Sequence, residues 1–198
     1  MATSSRKKAI ELWQLDIPDG DKEKLAKTLF CFENPPGTKY VSGSQDSLGI
    51  VLPGLNRLYY RDDYWPETIE TVCEPEMLRW IEERLWLIPL FPRHAEFDVL
   101  EGRQITEDKA IKLSKAADEC WNAILSKDAE AWGRAFSDSF EAQIAMFPNM
   151  VSSEILHVLD EHKPDVLGWK VSGAGGGGYL IFVSEQPIAN AIQIRIRR

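Results

Sequence analysis

This chain has few of the residues that metal, redox or nucleic-acid chemistry requires. Its three cysteines, Cys31, Cys73 and Cys120, stand far apart, and none has the Cys-x-x-Cys spacing of a zinc or dithiol site. Each lies in an apolar stretch, so the reading is buried structural thiols in a reducing compartment. The three histidines, His94, His157 and His162, have no ligand partners at metal spacing. Positive charge is scarce: 23 Lys and Arg against 31 Asp and Glu give a net charge of −8. That balance argues against a nucleic-acid or anionic-membrane surface as the main task, since both need a basic face. The local basic end, Arg195, Arg197 and Arg198, reads as a solvated strand terminus. No apolar run approaches the length of a membrane span, and the N-terminus lacks the apolar core of a signal peptide. The expectation is a soluble cytoplasmic protein with neither nucleic acid nor membrane as partner. The Walker A lysine pattern is absent too.

Glycine, by contrast, is concentrated. Five of the six residues in 173–178 are glycine. The run sits between Trp169-Lys170-Val171 and Tyr179-Leu180-Ile181-Phe182-Val183, both of buried-strand composition. A flexible linker would be polar on both sides and rich in serine and charge. An ordered loop against a sheet is the better reading, and its N–H groups would approach an anion closely because no Cβ intervenes. The dinucleotide fingerprint fits poorly, because a strand rather than a helix follows the glycines.

The chain length allows one sizeable core or two small domains. Apolar spacing predicts helices over 6–16 and 21–33, the second ended by Asn34-Pro35-Pro36-Gly37. A polar turn over 41–49 then leads into Ile50-Val51-Leu52. Strands are expected at 55–60 and 67–72, with Asp62-Asp63 in the connection between them. A short helix follows at 74–84, then a buried strand at 85–90 in which Pro89 marks an edge or a bulge. Thr106 and Asp128 are placed to cap two helices. The first, about 107–125, would bury Ala110, Leu113, Ala117, Cys120, Trp121 and Ile124. The second would stack Trp132, Phe136, Phe140 and Ile144 into a core. A third helix at about 152–162 precedes strands at 167–171, 179–183 and 191–197. The expected fold is α+β, with helices on one face of a small antiparallel sheet holding the last three strands and 85–90.

Two segments carry a family resemblance. Ser42-Gly43-Ser44-Gln45-Asp46-Ser47-Leu48-Gly49 and, after a long helical middle, Gly168-Trp169-Lys170-Val171-Ser172-Gly173-Ala174-Gly175-Gly176-Gly177-Gly178 together resemble the GHMP kinase superfamily. The glycine segment is similar to that superfamily's third motif. The Gln45-Asp46 turn is similar to the segment that brings the catalytic aspartate in the sugar-kinase branch. The stretch from Ser42 to Asn56 is nearest the L-fucokinase and heptose-kinase branch, and the C-terminal end resembles the kinase module of bifunctional fucokinase/fucose-1-phosphate guanylyltransferases. Leu90-Phe91-Pro92 departs from the Tyr-Thr-Gly usual in that branch before its arginine turn, where Arg93 stands here.

The resemblance implies an ATP- and Mg²⁺-dependent kinase acting on the anomeric hydroxyl of L-fucose or a related sugar. Residues 1–73 would be a partial N-terminal kinase domain and 74–198 the C-terminal domain. Asp46 would be the base; its other role is a plain turn or helix cap. Ser42, Gly43, Gln45 and Arg93 would touch substrate, although for Arg93 a pair with a surface acid is favoured. Gly173, Ala174, Gly175, Gly176, Gly177 and Gly178 would line the phosphates, and Lys170 reads as a solvent-facing strand residue. Glu33 would help hold Mg²⁺. Thr3-Ser4-Ser5 stands either as the tail of the superfamily's second motif, with Ser4 and Ser5 on the phosphates, or as an ordinary helix cap. The first motif and most of the second are not present. The expectations are therefore an isolated chain with little or no activity, and self-association or a separate N-terminal half as partner. A non-catalytic remnant or interaction module, or a heptose-phosphate kinase, is the alternative.

Overall fold

The computed structural model describes residues 3–14 and 16–198; Leu15, inside the expected 6–16 helix, lies outside the described residues. The chain divides into two compact units, Met1–Leu78 with Ile196–Arg198, and Arg79–Arg195.

The first unit packs three helices, α1 (Thr3–Trp13), α2 (Lys22–Glu33) and α3 (Gln45–Val51), with a hairpin of β1 (Leu55–Tyr59) and β2 (Thr68–Val72). Asp21 caps α2 by accepting from the Lys24 amide at 3.1 Å. Ala26 and Leu29 of α2 are fully buried, and Ala9, Leu48 and Val51 complete this core. The hairpin is antiparallel, with Leu55 opposite Val72. α3 corrects the expected turn over 41–49. Gly43, Ser47 and Gly49 are poor helix formers. Leu48 and Val51, three apart, nevertheless reach the core, and that burial overrides propensity.

The C-terminal end of α3 is closed from far along the chain. Arg197 donates from Nη2 to the carbonyls of Gly49 (3.3 Å) and Leu52 (3.1 Å), and its own carbonyl accepts from the Gly54 amide at 2.7 Å. These are orphan carbonyls of a helix terminus, where a cation is favoured. Arg197→Ala is expected to cost the first unit about 1 kcal/mol. Faster hydrogen exchange at the amides of α3, with α2 unchanged, is the measurement that checks it.

The second unit is built on a four-stranded sheet. Its strands are β3 (Leu85–Pro89), β4 (Gly168–Val171), β5 (Tyr179–Val183) and β6 (Ile192–Gln193), in the order β4-β5-β3-β6. All pairs are antiparallel. The four segments expected in one sheet are there, but the last pairs only at Ile192 and Gln193, and 196–198 fold with the first unit. β3 is an interior strand, yet Pro89 disturbs nothing. β6 reaches only Trp86 and Leu87, and the Pro89 nitrogen points to the side left open beyond them.

Helix α4 (Pro75–Glu82) leads into β3. Thr106 and Asp128 cap α5 (Glu107–Leu125) and α6 (Ala129–Met146) as expected, accepting from the amides of Lys109 and Ala131. Ser152 does the same for α7 (Ser153–His162). α7 lays the fully buried Ile155 and Leu159 on Val171, Leu180 and Phe182. α6 runs past the β4 edge, where the Ser137 hydroxyl accepts the Trp169 amide at 3.2 Å. The crossing is close because both sides are glycine: a Cβ on Gly168 would collide with the Gly133 carbonyl. α5 packs against α6, which turns its buried face from the expected stripe. Ala116, Trp121, Ala123 and Ile124 are buried, whereas Ala110 and Ala117 are exposed.

Candidate functional site

The three helices of the first unit bring their polar termini together. Ser5, in the first turns of α1, is buried and hydrogen-bonds the carboxylate of Glu33, the last residue of α2. Asp46, in the first turn of α3, is close enough for its charge to act on Glu33. Burial holds the Glu33 carboxyl above the usual range, and Asp46 pushes it further up, while the Ser5 hydrogen bond and Lys8 oppose both. Asp46 is also raised, by desolvation. The residue as a whole is exposed. An acid in the first turn of a helix would ordinarily be favoured as the anion. Desolvation outweighs that preference here.

Ser44, the residue before α3, is fully buried. It makes no side-chain cap bond. Its hydroxyl instead lies 3.0 Å from the Tyr60 hydroxyl and donates to the Tyr64 carbonyl. Ser47 closes the turn by donating to the Ser44 carbonyl at 2.8 Å.

Of the residues singled out in the sequence, Asp46, Glu33 and Ser5 converge. Ser4 is exposed, and the side chain of Thr3 lies outside the described residues. Ser5 therefore serves Glu33, neither capping a helix nor standing free. The Ser42 hydroxyl and amide are both committed to Asn34 Oδ1, at 3.1 and 2.8 Å. Gln45 folds back over Gly43, and a Cβ there would lie 2.8 Å from the Gln45 amide oxygen. Ser44 and Tyr60 were not anticipated. Their only sequence signal is a serine beside the Gln45-Asp46 pair and an aromatic at a strand end.

The glycine run, in the second unit, is the β4–β5 hairpin loop. Gly173, Gly175, Gly176, Gly177 and Gly178 all have positive φ, from 64° to 135°. At the three middle glycines the missing Cβ makes room for protein: the Met150 carbonyl at Gly175, the Phe97 ring at Gly176 and the Phe91 carbonyl at Gly177. The Gly176 and Gly178 amides donate to the carbonyls of Met150 (2.8 Å) and Phe91 (2.9 Å). These two are not free anion donors, which corrects that part of the expectation. Among the described residues, the amides of Gly173, Ala174, Gly175 and Gly177 have no backbone acceptor. Among the described residues Arg93 pairs with no acid; its Nε donates to the Gly175 carbonyl at 2.8 Å and its guanidinium lies over the Phe97 ring. Arg93 thus braces the loop.

Three further expectations are corrected. Lys170 does not face solvent: Nζ donates to Ser139 Oγ at 2.6 Å, and desolvation pulls its amine down to about 8. Cys31 and Cys73 are exposed, and Cys120 is half-buried beside Lys170 with its thiol pushed up to about 11 by burial. Arg195 is a partner for the buried Glu82, at 3.5 Å, so it is not merely a solvated strand end. No group of three or more His, Cys, Asp or Glu placed to hold a metal occurs among the described residues. No helix there is long and apolar enough to cross a membrane.

The fold is that of sugar and GHMP-type kinases. A protein of Campylobacter jejuni described as a sugar kinase matches 92% of the chain with a TM-score of 0.59 at 18% identity. A mevalonate kinase matches 89% with a TM-score of 0.60 at 16% identity. A D-glycero-D-manno-heptose 1-phosphate kinase from Bacteriodes thetaiotaomicron matches 89% with a TM-score of 0.53 at 14% identity. In sequence the chain is similar to the bifunctional fucokinase/GDP-fucose pyrophosphorylase of Arabidopsis thaliana, 20% identical over 183 residues. The chain spans 48–53% of the length of those three structures and 17% of the Arabidopsis protein. No family model matches it.

Proposed function

We propose that this chain carries the substrate-activating part of an ATP-dependent sugar kinase that phosphorylates the anomeric hydroxyl of L-fucose or a related sugar. The observation that carries the reading is the meeting of Asp46, Glu33 and Ser5, two carboxyls raised by burial in a fold shared with sugar kinases. In this reading residues 1–73 are part of the N-terminal kinase domain and 74–198 the C-terminal domain. Asp46 accepts the proton of the attacking sugar hydroxyl, whose oxygen forms the new bond to the γ-phosphorus while ADP leaves. Glu33 and Ser5 suit Mg²⁺, which takes one or two carboxylates with the remaining positions on water and phosphate. The Asp46 and Glu33 carboxyls lie close enough to act on each other, and such a pair fits that donor set. Bound Mg²⁺ would neutralise phosphate charge. The amides of Gly173, Ala174, Gly175 and Gly177 remain as donors to an anion. Self-association, or a polypeptide bearing the rest of the kinase, is the partner this reading implies.

A heptose phosphate is the second substrate reading, favoured by the heptose 1-phosphate kinase among the structural neighbours. Saturation-transfer NMR of the chain with L-fucose and with a heptose phosphate is the test. Transfer to L-fucose, altered by Asp46→Asn, is expected. Transfer to the heptose phosphate alone moves the substrate to the second reading. Binding of neither sugar overturns the kinase reading in favour of a non-catalytic module.

A further inference from the structure

The hydrogen bonds around Ser44 have a fixed direction. The Tyr64 carbonyl can only accept, and Ser44 has one proton, so that proton goes to Tyr64. The 3.0 Å contact between the two hydroxyls must then run from Tyr60 to Ser44. The Tyr60 proton is thereby committed inward, while the phenol oxygen keeps capacity to accept. Tyr60 is 41% exposed, so a ligand can reach it. Ser44 stands two residues before Asp46, and the Asp46 charge is felt at Tyr60, where it adds to burial in raising the phenol. Through Ser44, at the N-cap of the helix whose first turn holds Asp46, the Tyr60 hydroxyl is tied to the same helix end as a second group that accepts a hydrogen bond and has no proton to give. Two neighbouring acceptors suit two neighbouring donors.

We infer that Tyr60 is a specificity-determining residue, its phenol oxygen accepting a hydrogen bond from the hydroxyl adjacent to the one that Asp46 engages. The site then selects a vicinal diol and penalises an analogue lacking the second hydroxyl. This inference rests on Asp46 being the group that meets the substrate hydroxyl. A neutral hydrogen bond of this kind corresponds to about a 3–10-fold preference.

The test is titration calorimetry of the chain with L-fucose, 2-deoxy-L-fucose and 2-deoxy-2-fluoro-L-fucose. The wild type is expected to bind L-fucose about 3–10-fold more tightly than either analogue. The fluoro sugar should be as weak as the deoxy sugar, because fluorine accepts but cannot donate. Tyr60→Phe should erase the difference while leaving affinity for the deoxy sugar unchanged, an outcome that a merely structural role for Tyr60 would not produce. Equal binding of all three sugars by the wild type overturns the inference, as does rescue by fluorine or full discrimination by Tyr60→Phe. The wild-type comparison stands even where Tyr60→Phe fails to fold. If Asp46→Asn alters L-fucose binding in any of these cases, the reading of Asp46 survives and only the role of Tyr60 falls. Failure of the wild type to bind any of the sugars removes both.

Discussion

Asp46→Asn is expected to lower kcat by roughly 10²–10⁴, with KM for ATP little changed, in the polypeptide that carries this chain and turns over. Asparagine keeps the shape of the side chain and removes only the proton acceptor. The same change should not lower stability. The folded state holds the Asp46 carboxyl above its ordinary range through desolvation, so the ionised form is disfavoured by folding. The sign follows from linkage: such a group contributes stability below its unfolded pKa and loses it as pH rises through the folded value. At neutral pH the neutral amide therefore removes a cost, and it also removes the charge that pushes Glu33 up. Loss of turnover with an unchanged or higher melting temperature is the expected pair of results. Near-normal kcat rules Asp46 out as the base. A lost kcat with a collapsed melting temperature would assign Asp46 to structure instead.

Lys170→Met combined with Ser139→Ala is expected to stabilise the second unit by about 2–3 kcal/mol at pH 7. Lys170 is largely buried between β4 and α6, with Ser139 Oγ as its hydrogen-bond partner and the Phe136 ring 6.0 Å from Nζ. A hydroxyl and a ring face do not repay the desolvation of an ammonium. Removing both partners avoids leaving the buried Ser139 hydroxyl without its donor. The wild type should show the penalty through pH. Below about 8 the folded and unfolded chains both hold the Lys170 proton and the cost is constant. Between about 8 and the ordinary value of 10.5 the unfolded chain binds more protons, so stability rises with pH. Cys120 acts in the opposite sense. Its thiol is raised from 9.0 to about 11, so it removes stability as pH rises across that interval. The clean window is pH 8–9, where wild-type stability should climb and that of the double variant should stay flat. Hydrogen exchange at the amides of β4 and β5 reads this unit alone. A flat wild-type profile in that window would show that Lys170 keeps its proton at an ordinary affinity.

Helix caps were legible from sequence because a cap is local. Thr106 and Asp128 each sit just before an apolar-periodic run and bond an amide three residues on. The sheet segments were legible for the same reason, from short runs of β-branched and aromatic residues between turn signals. The helix carrying Asp46 was not, because its residues favour a turn and only the burial of Leu48 and Val51, with Arg197 closing its far end, makes it helical. The identity of Asp46 as a candidate came from its motif, whereas its surroundings did not. Glu33, Ser5 and Tyr60 reach it from other elements, and no spacing along the chain encodes that meeting.

The chain by itself determined the α+β class, the antiparallel strands, the glycine hairpin and the candidate base. The first three follow from composition and periodicity along the chain, whereas Asp46 became a candidate only because its segment resembles that of the GHMP kinases. Tertiary structure alone decided what those residues face. The middle glycines are small because Met150, Phe97 and Phe91 press on them, and Lys170 loses its solvent because α6 packs over it. Arg93 braces a loop instead of pairing with an acid, and Ser44 turns its proton to Tyr64, leaving Tyr60 as an acceptor. Burial and hydrogen-bond direction depend on partners distant in sequence, so packing sets them and local pattern does not.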